Sequence, residues 1–312
     1  MSFHQEFFTL NNGHKIPAIA VIGTGTRWYK KEETDANFSN ALVKQIEYAL
    51  TLPGVVHIDH AEVYRTYPEL SEALKNTKKP RDEIFLTDKY SVQQKITKDP
   101  KEGLETALKR TGLKYVDLYL LHSPFASPEK NGFTIEEAWK QLEDLYKEGK
   151  AKNIGVSNFG VTDLEKILKI ATVKPQVNQI EFGAFLQNQT PGIVKFSQEN
   201  DIQLEAYSPL SSLQKRDESA EAKPFYDYVQ KLAEKYGKTE AQILLRWVTK
   251  RNVIPVTTSS QPKRIQDAQN LFSFDLSQEE VEKITKLGLA HPALRLYWTD
   301  VYGKYDEEAQ KP

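Results

Sequence analysis

The 312 residues carry 42 Lys and Arg against 43 Asp and Glu, and a net charge of −1 excludes a chain built to neutralise nucleic-acid phosphate or to coat an anionic membrane. With 39% hydrophobic and 27% charged residues the composition is that of a folded chain, and with no Cys there are no disulfides, thiolate metal sites or thiol nucleophiles. The start, Met1-Ser2-Phe3-His4-Gln5, has no basic stretch ahead of an apolar one, and the apolar run 16–22 is too short to span a bilayer. A cytoplasmic protein is expected.

In chain order, residues 7–9 and 15–17 flank Asn11-Asn12-Gly13 and predict a hairpin closed by a tight primed turn, which Asn-Gly favours. Short apolar or β-branched runs then recur at 18–22, 55–59, 84–89, 116–122, 153–158, 176–180, 202–208 and 253–257, and runs of this kind read as buried parallel strands. Amphipathic segments lie between them. Residues 134–147 place Ile135, Ala138, Trp139, Leu142 and Leu145 on one helical face, and Gly149 supplies the stop. Thr162 and Asp163 precede Leu164, Ile167, Leu168 and Ile170 as the cap of a second helix, and residues 239–250 form a third. This alternation predicts an α/β fold, either a doubly wound open sheet or a closed (β/α)8 TIM barrel. Eight runs, with no Pro/Gly/Ser-rich linker, favour one barrel domain over 1–312. The tail from residue 290 carries Tyr297, Trp298, Tyr302 and Tyr305 among charges, so it is expected to pack across the body.

Reacting groups of such a barrel come from the C-terminal ends of its strands. The runs end in Gly23-Thr24-Gly25-Thr26, Asp59, Lys89, His122, Ser157-Asn158, Gln179, Tyr207-Ser208 and Thr257-Thr258-Ser259. Buried charges are costly unless paired, so Asp, Lys and His ending three consecutive runs point to a mutually compensated set. Strand alternation puts His57 and Asp59 on one side and His60 on the other, and no further cluster completes a metal shell. Lys89 alone is also compatible with a Schiff-base lyase. The glycines at 23 and 25 lack the third glycine of a dinucleotide fingerprint. In contrast, Thr257-Thr258-Ser259-Ser260-Gln261-Pro262-Lys263-Arg264 combines small hydroxyls with two cations at a helix start, a plausible phosphate pocket.

Six ordered stretches carry a resemblance: Asp59-His60-Ala61-Glu62-Val63-Tyr64, Phe85-Leu86-Thr87-Asp88-Lys89, Leu118-Tyr119-Leu120-Leu121-His122-Ser123-Pro124, Ile154-Gly155-Val156-Ser157-Asn158-Phe159, Val177-Asn178-Gln179-Ile180-Glu181 and Ala206-Tyr207-Ser208-Pro209-Leu210. With them the chain resembles the aldo-keto reductases over nearly its full length. Residues 64–69 and 294–298 are similar to fungal members that reduce α-keto amides and conjugated polyketones.

The resemblance implies hydride transfer from NADPH to a small ketone or aldehyde: an α-keto amide, α-keto ester or α-dicarbonyl. Tyr64 would be the general acid, Lys89 would lower the pKa of its phenol, Asp59 would hold Lys89, and His122 would orient the carbonyl. The nicotinamide would stack on Tyr207, with Ser157, Asn158 and Gln179 on its carboxamide. Thr26, Ser208, Leu210 and Ser212 would line the rest of the cofactor, and Thr258, Ser259, Ser260 and Arg264 its adenosine end. Trp28, Tyr297 and Trp298 would wall the substrate. The resemblance also implies a monomer with no metal, no nucleic acid and no membrane, although related barrels serve as NADP(H)-sensing subunits. Two positions depart from the family: Thr258 stands where a Lys is usual, with Arg264 retained, and Ser123 where many members carry Trp. The first still favours NADPH over NADH through Arg264; the second predicts a more open wall beside the carbonyl.

Overall fold

The computed structural model describes residues 3–25 and 37–309. Thr26 and Trp28, expected in the cofactor and substrate sites, lie outside them. Antiparallel strands β1 (Phe7–Thr9) and β2 (Lys15–Pro17) form the predicted hairpin. Its turn is not primed. Gly13 N donates to Leu10 O and Leu10 N to His14 O, and only Gly13, at φ +86°, has a positive φ, so an ordinary turn is followed by a left-handed glycine. The second Asn of Asn-Asn-Gly adds a residue, which a two-residue primed loop cannot hold.

Eight parallel strands follow in sequence order: β3 (Ile22–Gly23), β4 (Val56–Asp59), β5 (Ile84–Tyr90), β6 (Leu118–Leu121), β7 (Ile154–Ser157), β8 (Val177–Glu181), β9 (Gln203–Tyr207) and β10 (Val253–Pro255). The first and last are joined. Ala20 pairs in parallel with Val256, with Ala20 N donating to Pro255 O (2.9 Å) and Thr257 N to Ala20 O (2.8 Å). The sheet therefore closes on itself as the (β/α)8 barrel that the eight runs imply. The seam is the shortest part of the ladder, and Pro255, having no N–H, can pair there only through its carbonyl.

Helices cover the outside. Ile135–Lys147 begins at Thr134 in a reciprocal cap with Glu137, and Glu240–Lys250 begins at Thr239 in the same way with Gln242. The helix expected after Thr162-Asp163 starts earlier, as Val161–Ile170, because Gly160 is its cap and the Asp163 carboxylate accepts the Gly160 N–H at 3.1 Å. No helix among the described residues is long and apolar enough to cross a membrane.

The barrel interior is layered. Phe85, Leu118, Leu120, Val177 and Ile254 pack with Leu10 and Ile16 of the hairpin into an apolar floor. Gly155 lies against this floor, where a Cβ would meet Val177 O at 2.4 Å and Leu120 at 2.9 Å. One strand position higher, inward alternation brings His57, Thr87 and Glu205 together. Asp59, Lys89 and Gln179 come next. The tail closes over this end: Leu294 N donates to Phe185 O, and the Glu181 carboxylate accepts the N–H groups of Leu296 (2.7 Å) and Tyr297 (3.2 Å).

Candidate active site

Lys89 is wholly buried on β5 and its ammonium is fully engaged. Nζ donates to both oxygens of Asp59 at 2.7 Å and to His60 O at 3.0 Å, and stands 3.4 Å from the Tyr64 hydroxyl. Burial works to lower the Lys89 pKa, but Asp59 and Tyr64 outweigh it and the net displacement is upward. Tyr64 lies on the short turn Glu62–Tyr64 after β4, which Glu62 pins by accepting from Ser91 N (3.1 Å) and Thr97 Oγ1 (2.5 Å). A Cβ on Gly25 would sit 2.7 Å from the Tyr64 ring, so only glycine leaves the ring this place. His122 follows β6 with its ring edge-on to Tyr64, centroids 5.9 Å apart. Burial and then Lys89 hold its pKa well below the usual histidine value, so the imidazole is neutral.

This arrangement suits acid catalysis and not Schiff-base chemistry. An imine-forming lysine needs a free amine, whereas Lys89 is a cation clamped by a carboxylate. Among the described residues no group of three potential metal ligands exists.

A second group adjoins the first. Gln179 Nε2 donates to Asp59 Oδ1 (2.9 Å) and to Glu205 Oε2 (2.8 Å). Asn158, left-handed at φ +63°, donates to His122 O (2.9 Å) and Ser157 Oγ (3.1 Å), and its oxygen accepts from Tyr207 OH (2.7 Å) and Gln189 (3.0 Å). Tyr297 lies edge-on to Tyr207 at 5.6 Å and is half-exposed, while Trp298 packs on Phe125 at 5.5 Å. Ser123 is buried, its Oγ donating to Gln93 Oε1 at 3.5 Å.

Further round the rim the residues fit a long anionic ligand. Ser208 is left-handed at φ +54° before the helix Ser211–Gln214, and the fully buried Ser212 Oγ has no hydrogen-bond partner among the described residues. Leu210 is half-buried at the start of that helix. Thr258 Oγ1 accepts from Gln45 Nε2 at 2.8 Å, Ser259 Oγ caps Gln261 N at 3.1 Å, and Ser260 is exposed. Arg264 is exposed and has no ion pair among the described residues, whereas Lys263 is taken by Asp267. Direct contacts link the Asp59–Tyr64–Lys89–His122 set to Gln179, Asn158 and Tyr207. Among the described residues none links it to the 258–264 loop, which an extended ligand would join to it. Sequence reading passed over Glu205, Glu181 and Gln45; alternation back from Tyr207 on β9 and Gln179 on β8 marks positions 205 and 181 as inward-facing.

The sequence model of the Aldo/keto reductase family matches residues 21–288. The chain belongs to the aldo/keto reductase family. It is 70% identical over 311 residues, covering 100% of both chains, to the NADPH-dependent alpha-keto amide reductase of Saccharomyces cerevisiae. It is 38% identical to the NAD/NADP-dependent indole-3-acetaldehyde reductase of Schizosaccharomyces pombe, over 89% of this chain and 94% of that one. Among solved structures, the Bombyx mori aldo-keto reductase AKR2E4 in complex with NADP superposes with a TM-score of 0.79 at 29% identity, over 98% of this chain and 100% of that one. For an aldo/keto reductase, the unpartnered Ser212 hydroxyl and the unpaired Arg264 are the two features here that most directly fit a bound dinucleotide.

Proposed function

We propose that this aldo/keto reductase converts the carbonyl of α-keto amides, and of related α-keto esters and α-dicarbonyls, to the alcohol, with NADPH as reductant. The observation that carries the reading is the approach of the Lys89 ammonium to within 3.4 Å of the Tyr64 hydroxyl. The 70% identity to the yeast α-keto amide reductase supports the substrate class. When bound, NADPH supplies the hydride.

The chain's own groups do the rest. Tyr64 gives its proton to the carbonyl oxygen as negative charge develops there. A free phenol titrates near ~10, and the adjacent Lys89 cation stabilises the phenolate left behind. Asp59 keeps that cation in place, and neutral His122 donates a hydrogen bond that orients the carbonyl. Tyr207 offers a ring face to the nicotinamide, and Ser157, Asn158 and Gln179 hold its carboxamide. Ser208, Leu210 and Ser212 take the pyrophosphate. Thr258, Ser259, Ser260 and Arg264 receive the adenosine end, where a guanidinium on the 2′-phosphate selects NADPH. Tyr297 and Trp298 flank the substrate. All four reacting groups come from one chain, so the proposed site needs no second copy, and the protein is read as a monomer of a single domain over 1–312 that works in the cytoplasm.

The test is the loss of NADPH absorbance with α-keto amides, α-keto esters and aldehydes. Tyr64→Phe should lower kcat by about 10²–10⁴-fold while calorimetry shows unchanged NADPH binding. Wild-type turnover in that variant would remove Tyr64 from the acid role, and no turnover by the wild-type protein would favour a cofactor-sensing binding subunit.

A further inference from the structure

Glu205 occupies the barrel axis directly beneath the reacting groups, wholly buried. Three titratable groups face it there: His57, with Nε2 at 3.9 Å, and Asp59 on β4, and Lys89 on β5. One of its oxygens accepts from Gln179, and the other, Oε1, which faces His57 Nε2 at 3.9 Å, has no hydrogen-bond partner among the described residues. A carboxyl group at such depth is expensive and is tolerated only with a specific role or a specific partner.

Donor accounting on Gln179 supplies the role. An amide has two N–H donors and one carbonyl acceptor. Both donors are spent, on Asp59 Oδ1 and on Glu205 Oε2. Accepting oxygens on both sides of the nitrogen disfavour the flipped amide, which would bring its oxygen against Asp59 Oδ1; Glu205 stays an acceptor at Oε2 when its own proton sits on the other oxygen, Oε1. Gln179 can therefore offer any further partner only its oxygen. Asp59 alone would hold one N–H and leave the amide free to turn about that bond.

We propose that Glu205 is a positioning residue that locks the Gln179 amide as a hydrogen-bond acceptor for the cofactor's carboxamide N–H. The inference rests on the reading that Gln179 meets the nicotinamide carboxamide. Glu205 touches neither cofactor nor substrate and acts through Gln179. Its own state bears on the cluster as well. Burial, and then the charge of Asp59, push its pKa up to about 8, against the lowering effects of Gln179 and Lys89. Near neutral pH it is a neutral acid, and Lys89 is balanced by Asp59 alone. Above that range its ionisation adds a second negative charge next to the ammonium that stabilises the Tyr64 phenolate.

The experiment is calorimetric NADPH binding from pH 6 to pH 9, with kcat and KM in parallel, on wild type, Glu205→Gln and Glu205→Leu. Glu205→Leu removes the acceptor. It should raise the NADPH Kd and lower kcat by about tenfold each, with KM for the carbonyl within about twofold. Glu205→Gln can turn its own oxygen to Gln179, so NADPH affinity at pH 7 should return to within about threefold of wild type. Having nothing to ionise, it should also lack the decline in kcat expected of wild type above about pH 8. Wild-type affinity in Glu205→Leu, or equal losses in both variants, overturns the proposal. Should Glu205→Leu fail to fold, the Gln variant decides alone, and a loss of NADPH affinity there well beyond threefold at pH 7 refutes the role. Absence of NADPH binding by wild type would instead sink the reductase reading itself.

Discussion

Lys89 shows how a single side chain ties stability to chemistry in this protein. Its ammonium is buried without access to water, and every donor it has is directed at Asp59, His60 O or Tyr64. Removing one member of such a pair is worse than removing both, because the partner charge stays behind. Lys89→Met should cost about 3–5 kcal/mol in urea unfolding and abolish measurable turnover; Lys89→Met combined with Asp59→Leu should recover stability but not activity. Equal stability of single and double variants would show that the pair is not coupled. At this scale the sequence is informative wherever a polar residue ends an apolar run, as with Asp59, Lys89 and His122. It was silent on Glu205, which lies inside a run whose next inward residue, Tyr207, takes the eye, and on the Gln45–Thr258 bond, which joins residues 213 apart.

Among the elements, the tail has the most specific attachment. Glu181, the last residue of β8, accepts two successive tail N–H groups, and Arg295 adds bonds to Gln189 O (3.0 Å) and Asp306 (2.7 Å). Burial raises the Glu181 pKa to about 7 against the lowering effect of those N–H donors, so the latch is weaker than its geometry alone suggests. Glu181→Leu leaves two partly buried N–H groups without that acceptor, at up to about 1–3 kcal/mol each. Amide exchange across 294–302 should accelerate, and KM for the carbonyl should rise more than kcat falls, since Tyr297 and Trp298 lose their support. Exchange unchanged from wild type would mean that the tail is held elsewhere. Tail packing was readable from four aromatics in a charged segment, but its anchor was not, because Glu181 carries no local sign of a partner 115 residues away. The hairpin turn and the start of Val161–Ile170 differed from expectation for a related reason: each is decided by one extra residue, a second Asn or a Gly cap, that local patterns weigh poorly.

For the whole molecule, the buried titratable groups predict opposed pH limbs of stability. Burial, and then Lys89, lower the His57 pKa to about 3, and His122 is also held well below its free value. Between those depressed values and 6.5 the folded state binds fewer protons than the unfolded chain, so this contribution is full above pH 6.5 and is lost as pH falls. Glu205, raised to about 8, works the other way: its contribution is full below about 4.5 and is lost as pH rises toward 8. Within its window each group changes stability by about 1.4 kcal/mol per pH unit. His57→Asn should therefore flatten the acid limb, and Glu205→Gln the limb above pH 6.5, in unfolding curves compared with wild type. Parallel curves for variant and parent would refute the corresponding shift. The closed barrel itself was legible from the count of eight runs, whereas its polar middle layer emerges only once alternation in separate strands is superposed across the axis.

Asn158 ties the tail to the floor of the cleft. Its carbonyl accepts the Tyr302 hydroxyl at 2.5 Å while its side chain holds His122, Ser157 and Tyr207. Trp298, four residues before Tyr302 and with its ring centroid 6.4 Å away, is partly open to solvent, whereas Trp139 and Trp247 are sealed in the core. The indole at 298 is thus a built-in optical reporter. Its emission should respond when a dinucleotide displaces the Asn158 side chain from Tyr207, and Trp298→Phe should remove the part of that signal which Trp298 carries, without dimming the two interior lamps.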